Sequence, residues 1–265
     1  MKDLGEATYI FGIKIIRDRS KWLIALSQSA YFDKILKKFK MENSKRDSVP
    51  MQEKPNYRYS QGKQTPDEVK CMQKVPYAST IGSIMNTKDM VLVYGEKPET
   101  KLKVTCYADT GFQIDKDDTK SQSGYVFVLN GRAVDWKSAK QSTIVMSSTK
   151  AEYIVAVEAS MEAVWMRKFI NGLRDIVPSN KRPMEMLCDN ALAISIANDL
   201  RIMRGASHYQ RKYHDIREVI QDGEIVLKKV HTYDNLPHPF MKPMSYNKNF
   251  EHAIVIGVCP TNSLM

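Results

Sequence analysis

The sequence predicts a mixed α/β fold, and three observations carry that prediction. From residue 102 onward the periodicities run as three strands, a long helix, a strand, two helices and a last strand, an order that needs a sheet covered by helices. Asn130-Gly131 sits between two β-rich runs, a strong hairpin signal. The composition, 43% hydrophobic and 26% charged over 265 residues, is that of a globular chain with one large or two small domains.

Each element follows from local chemistry. Tyr9–Ile16 is β-branched and aromatic with partial alternation and reads as one strand. Arg17–Ser20 is a polar turn, and Trp22–Leu26 forms the next strand. Ser27 or Ser29 caps a helix to about Phe39, with Tyr31, Ile35 and Phe39 on the apolar face and Lys34, Lys37, Lys38 and Lys40 opposite. Residues 41–75 carry Pro50, Pro55 and Pro66 among Asn, Ser, Gln and charge, and read as a linker. A short helix is expected over Pro76–Met85, with strands over Met90–Tyr94, Leu102–Ala108, Gln122–Leu129 and Ala133–Lys137. The long helix runs from about Ser148 to Leu173, with Ile154, Val157, Met161, Trp165, Phe169 and Leu173 as its apolar stripe. Strand Met184–Cys188, helices Ala191–Asp199 and His208–Gln221, and strand Ile225–Val230 complete the pattern.

Charge and cysteine usage narrow the function classes. Lys and Arg total 40 against 30 acids, a net charge of +10 that favours a polyanionic partner. Residues 1–100 hold 18 and 12 of these and residues 101–265 hold 22 and 18, so neither part is a basic tail. Cys71, Cys106, Cys188 and Cys259 lie far apart with no Cys-x-x-Cys, which disfavours a disulfide scaffold or a zinc site. No apolar run approaches the roughly 20 residues of a membrane span, and Met1–Glu6 opens no signal peptide. An intracellular location, cytoplasm or nucleus, is therefore expected.

Three acids stand where strands end or helices begin: Asp109, Glu152 and Asp189, separated by 43 and 37 residues. Strand ends and a crossing helix bring such residues together in a sheet fold, and clustered carboxylates hold Mg²⁺ for phosphodiester hydrolysis. Each acid also has a structural alternative. Asp109 can end a strand, Glu152 can close a capping box with Thr149, and Asp189-Asn190 can cap the next helix. His208 and His214, six residues apart on a basic helix, do not share a face as zinc ligands do. Asp115, Asp117 and Asp118 form an acidic turn. Tyr107, Tyr125 and Trp136 are strand aromatics with the character of core residues.

Several motifs in one order carry a resemblance. Tyr107-Ala108-Asp109, Lys120–Phe127, Trp136-Lys137-Ser138, Ser147–Tyr153, Cys188-Asp189-Asn190 and Lys212–Glu218 resemble the ribonuclease H domain of copia-type retrotransposon Pol polyproteins. Met1–Met51 and Val75–Met85 resemble the end of the reverse transcriptase domain of the same polyprotein. The resemblance implies a ribonuclease H-like mixed sheet with flanking helices over residues 100–245. Before it stands a truncated reverse transcriptase remnant over 1–85, and after it a tail over 246–265. It further implies two Mg²⁺ ions, an RNA–DNA hybrid as partner, and Asp109, Glu152 and Asp189 as metal ligands. No side chain is assigned to nucleic-acid contact, and the oligomeric state is left open.

Departures from the family pattern bear on activity. The segment expected to supply a fourth acid reads Asp234-Asn235-Leu236-Pro237-His238-Pro239-Phe240-Met241-Lys242-Pro243, with His238 at the aspartate position. Imidazole is a poor Mg²⁺ ligand and adds no negative charge, so an impaired hydrolase is expected. Asp234 is the alternative acid. No Tyr-x-Asp-Asp string occurs, so polymerisation is not expected. Gly82–Met85 runs directly into Asn86–Met90, the mark of an internal deletion that shortens the connection over 86–99 and leaves residues 1–85 short of packing partners. Two other outcomes stay open: a nucleic-acid-binding relic without turnover, and a degenerate fragment.

Overall fold

The computed structural model describes residues 6–38, 40, 42–43, 62, 65–73, 89–95, 103–113, 119–172, 182–199, 216–241 and 246–264. The chain divides into two compact units, Met1–Thr100 with Pro243–Met265, and Lys101–Lys242.

In the first unit five antiparallel strands run in the order β1-β2-β3-β4-β10. The run expected as one strand is a hairpin of β1 (Tyr9–Ile10) and β2 (Ile13–Asp18), pairing Ile10 with Ile13. Phe11 and Gly12 turn it with φ of 50° and 82°, left-handed values that glycine takes without strain. Asp18 Oδ1 accepts from the Ser20 and Lys21 backbone amides at 2.9 and 3.1 Å, shaping the turn into β3 (Leu23–Ser27). Strand β4 (Met90–Gly95) pairs with β3 from Leu23↔Gly95 to Ser27↔Val91.

Several expectations for this unit are corrected. Helix α1 (Ser29–Lys38) buries Phe32, one position on from the expected face, and leaves Tyr31 exposed. Within the expected linker, α2 (Pro66–Gln73) opens on a reciprocal capping box between Thr65 and Glu68. The expected tail instead forms a helix (Tyr246–Val255) and strand β10 (Val258–Pro260), which pairs with β4. Residues 6–38 thus have sheet partners in residues 90–95. The expected helix over 76–85 lies outside the described residues.

The second unit holds a mixed sheet in the order β7-β6-β5-β8-β9. Strands β5 (Val104–Gly111), β6 (Gln122–Leu129) and β7 (Arg132–Lys140) are antiparallel, with β6 and β7 joined through Asn130-Gly131 at φ of 50° and 82°. Strand β8 (Met184–Cys188) lies parallel to β5, and β9 (Ile225–Lys229) parallel to β8. The mixed sheet with covering helices is the predicted class. Alternate β5 residues Val104, Cys106 and Ala108 enter a core with Tyr125, Phe127, Met186 and Ile225, and Thr105, Tyr107 and Asp109 take the other face.

Helix α3 (Ser148–Gly172) buries Ile154 and Val157 of the predicted stripe, and further along its buried face departs from that stripe. Val155, Ala159, Ala163 and Met166 are buried, whereas Met161, Trp165 and Phe169 are 57%, 58% and 55% exposed. Close approach of a helix to a sheet selects small side chains, so Ala159 and Ala163 set the contact and the large ones are displaced outward. Trp165 and Phe169 stack on each other, centroids 5.6 Å apart. Leu173 lies outside the described residues. Helix α4 (Ala191–Asn198) and helical residues 216–221 complete the covering layer, and short helix α5 (His238–Met241) follows a 3₁₀ turn at Thr232–Asp234. Among the strand aromatics Tyr125 is buried, whereas Trp136 is exposed on edge strand β7.

Candidate metal and nucleic-acid site

Asp109 lies inside β5, paired with Gly124 of β6, and its strand continues to Gly111. It therefore neither ends the strand nor caps a turn. Its Oδ1 accepts from the Thr110 backbone N–H at 2.8 Å. Glu152, in the second turn of α3, reaches the same N–H with Oε1 at 3.2 Å. One donor thus gathers two carboxylates.

Of the two helix-capping alternatives, one fails and one holds through Asn190. Helix α3 is capped two residues earlier than Thr149, where Ser147 Oγ accepts from Lys150 N at 3.3 Å, so Glu152 is not part of a capping box. Asn190 caps α4, its Oδ1 accepting from Ala193 N at 3.0 Å, which relieves Asp189 of that role. Ligand atoms of Glu152, Cys188 and Asp189 all lie within 4.8 Å of one another.

The electrostatics follow from this crowding. Burial first, then the charges of Asp109 and Asp189, push the Glu152 carboxyl up to about 9. Glu152 therefore favours its protonated form at neutral pH. Cys188 Sγ lies 3.9 Å from Glu152 Oε2, and burial followed by the Glu152 charge pushes its thiol up to about 12. It is a neutral neighbour, not a thiolate.

His238 joins the cluster from α5, its Nδ1 2.7 Å from Asp109 Oδ2. The segment that carries it is well attached. Asn235, fully buried, donates from Nδ2 to Ala108 O at 3.0 Å, and Ser138 Oγ donates to Phe240 O at 2.7 Å. Met241 lies over Gly124, where any added Cβ would fall 2.5 Å from its Sδ. Asp234 is exposed on the 3₁₀ turn.

Four residues that shape the site escaped sequence reasoning. Gly124 carried a signal, a glycine inside an otherwise apolar strand, which marks close approach of another segment. Asn235, Cys188 and Gln141 carried none of their own. Gln141 Nε2 donates to Ser123 Oγ at 3.1 Å and Ala151 O at 3.0 Å, tying the end of β7 to the first turn of α3 and so to Glu152. His208, His214, Asp115, Asp117 and Asp118 lie outside the described residues.

The carboxylate oxygens of Asp109, Glu152 and Asp189 are the hard donors that Mg²⁺ takes. His238 is not, and it stands against one of the Asp109 oxygens. Glu152 and Asp189 thus offer hard donors within 4.8 Å of each other, Asp109 adds its carboxylate beside Glu152 through the shared Thr110 N–H, and His238 adds none.

The chain is 28% identical over 94% of its length to the retrovirus-related Pol polyprotein from transposon TNT 1-94 of Nicotiana tabacum, covering 21% of that protein. It is 32% identical over 61% of its length to the Pol polyprotein from transposon RE1 of Arabidopsis thaliana, covering 11% of it. The curated relatives that match over most of this chain are copia-type retrotransposon Pol polyproteins. The chain spans about a fifth or less of these Pol relatives' own length. No family model matches it. Among solved structures, an RNase H1 isolated from compost shares 16% identity at a TM-score of 0.37, over 57% of this chain and 98% of that one.

Proposed function

We propose that the unit Lys101–Lys242 is a retrotransposon-derived ribonuclease H-like domain. By descent it is a Mg²⁺-dependent endonuclease for the RNA strand of an RNA–DNA hybrid, with turnover impaired by His238. The observation that carries the reading is the meeting of Asp109, Glu152 and Asp189, from a strand, a helix and a strand end, in a chain whose relatives are Pol polyproteins. The net charge of +10 suits a polyanionic partner.

A bound divalent cation would supply Lewis acidity, activating water and stabilising the departing 3′ oxygen. The residues of this chain would do the holding: Asp109 and Asp189 would present carboxylates, and Glu152 would join them on losing its proton to solvent. The Thr110 N–H orients Asp109 and Glu152 toward each other, and Gln141 fixes the helix turn that carries Glu152. The hybrid would be gripped mainly through its backbone, with 2′-hydroxyl contacts marking the RNA strand.

A second reading, a nucleic-acid binder without turnover, is favoured by the 2.7 Å approach of His238 to Asp109. A paired assay separates the two. Mg²⁺-dependent cleavage of a labelled hybrid is measured for the native chain, His238→Asp and Asp109→Asn. The enzyme reading expects weak native cutting, a gain of on the order of 10²-fold in His238→Asp, and none in Asp109→Asn. Salt-sensitive hybrid binding with no cutting in any chain would establish the binder. Full native activity would sink the idea that His238 impairs the site.

A further inference from the structure

The segment Asn235–Met241 is a strap across the carboxylate site, and its attachments are independent of the residue at 238. Asn235 is tied to the Ala108 carbonyl, the Phe240 carbonyl to Ser138, and Met241 is seated on Gly124. None of these contacts uses the side chain at 238, which they carry beside Asp109. In this chain it is an imidazole, with Nδ1 2.7 Å from Asp109 Oδ2.

Two ions roughly 3.5–4 Å apart draw on more carboxylate oxygens than one ion does, and a carboxylate open at both oxygens could serve both. Asp109 does not have both to give. Its Oδ2 faces His238, and its Oδ1 shares the Thr110 N–H with Glu152. The remaining donors, Glu152 and Asp189 beside Cys188, gather within 4.8 Å, the span of one ion and its ligands. We propose that the site takes a single divalent cation, held by Glu152, Asp189 and the Oδ1 side of Asp109, and that His238 occupies the place of a second ion. The chemistry is that of a one-ion carboxylate centre capped by a fixed nitrogen donor. This inference rests on the metal-site reading above.

The test counts ions and does not depend on cleavage. The full chain is titrated with Mn²⁺, which binds carboxylates more tightly than Mg²⁺ and is counted by electron paramagnetic resonance. The background is set by an Asp109→Asn/Asp189→Asn chain. One ion above background is expected for the native protein and two for His238→Asp. His238→Ala should still take one, bound about tenfold tighter because Asp109 Oδ2 is released. Two ions or none in the native chain would overturn the proposal, as would a count of one in a folded His238→Asp. If His238→Asp does not fold, unchanged affinity in His238→Ala overturns it instead.

Hybrid binding by the same native chain, followed by fluorescence anisotropy, keeps the two readings apart. One ion without hybrid binding removes the proposed function and leaves the one-ion site. Two ions with hybrid binding does the reverse.

Discussion

The two sheets differ in what their strand order makes possible. The first is wholly antiparallel, and neighbouring strands return through turns or long excursions. Its buried apolar side chains are few among the described residues: Ala25, Phe32, Val91 and Ile256. The second sheet sets β8 parallel to β5, so the ends of both strands point the same way, toward the start of α3. Asp109 and Asp189 arrive at one edge for that reason, and a dense core of Phe127, Tyr153, Met186 and Ile225 keeps them there. Acids occur in both units, but only a parallel pair with a crossing helix packs three of them close enough to repel.

The largest way to break that contrast is to damage the second core. Phe127→Ala should cost about 3–5 kcal/mol and weaken Mn²⁺ binding through loss of fold, read by urea denaturation alongside the ion count. Phe32→Ala, in the first sheet's cover, should leave the ion count unchanged.

The next effect is electrostatic and sharpens the comparison. With Glu152 held near 9 against about 4.5 in an unfolded chain, the folded state binds the extra proton between those values. Metal-free stability should therefore be highest below about pH 4.5 as far as this group is concerned, and fall as pH rises toward 9. Thermal melts in EDTA across this range should show the decline, and Glu152→Gln should flatten it. A slope that survives Glu152→Gln would place its origin elsewhere.

The smallest of the three is steric. Gly124→Ala drives a Cβ into Met241 and should cost about 1–3 kcal/mol, and much less when the same change is made in a Met241→Ala background. Additive costs in the double variant would mean that the strap is not seated on Gly124.

Much of the second unit was legible in the sequence because its signals are local. Gln122–Leu129 and Met184–Cys188 match their strands end for end, and Asn130-Gly131 turns the hairpin as its residue types demand. The failures came where a nonlocal contact outweighed the local pattern. The large apolar residues of α3 suggested one face, which holds at Ile154 and Val157, and from Ala159 onward the small residues packed in the core chose another. Tyr9–Ile16 read as a single strand because its β-branched residues outvoted Gly12. Thr65-Pro66-Asp67-Glu68 was a helix start in plain view inside a segment judged by its overall composition. At the site, motifs exposed the three acids and His238. Asn235, Cys188 and Gln141 became visible only once strands distant in sequence lay side by side.

The strap has an evolutionary reading as well. Histidine and aspartate codons differ by one base, and the contacts that fix position 238 beside Asp109 do not involve its side chain. A single nucleotide change would therefore put a carboxylate at position 238, beside Asp109, with the anchors of the strap already in place. Loss of the strap's anchors, Asn235 or Gly124, would close that route far more firmly than His238 does.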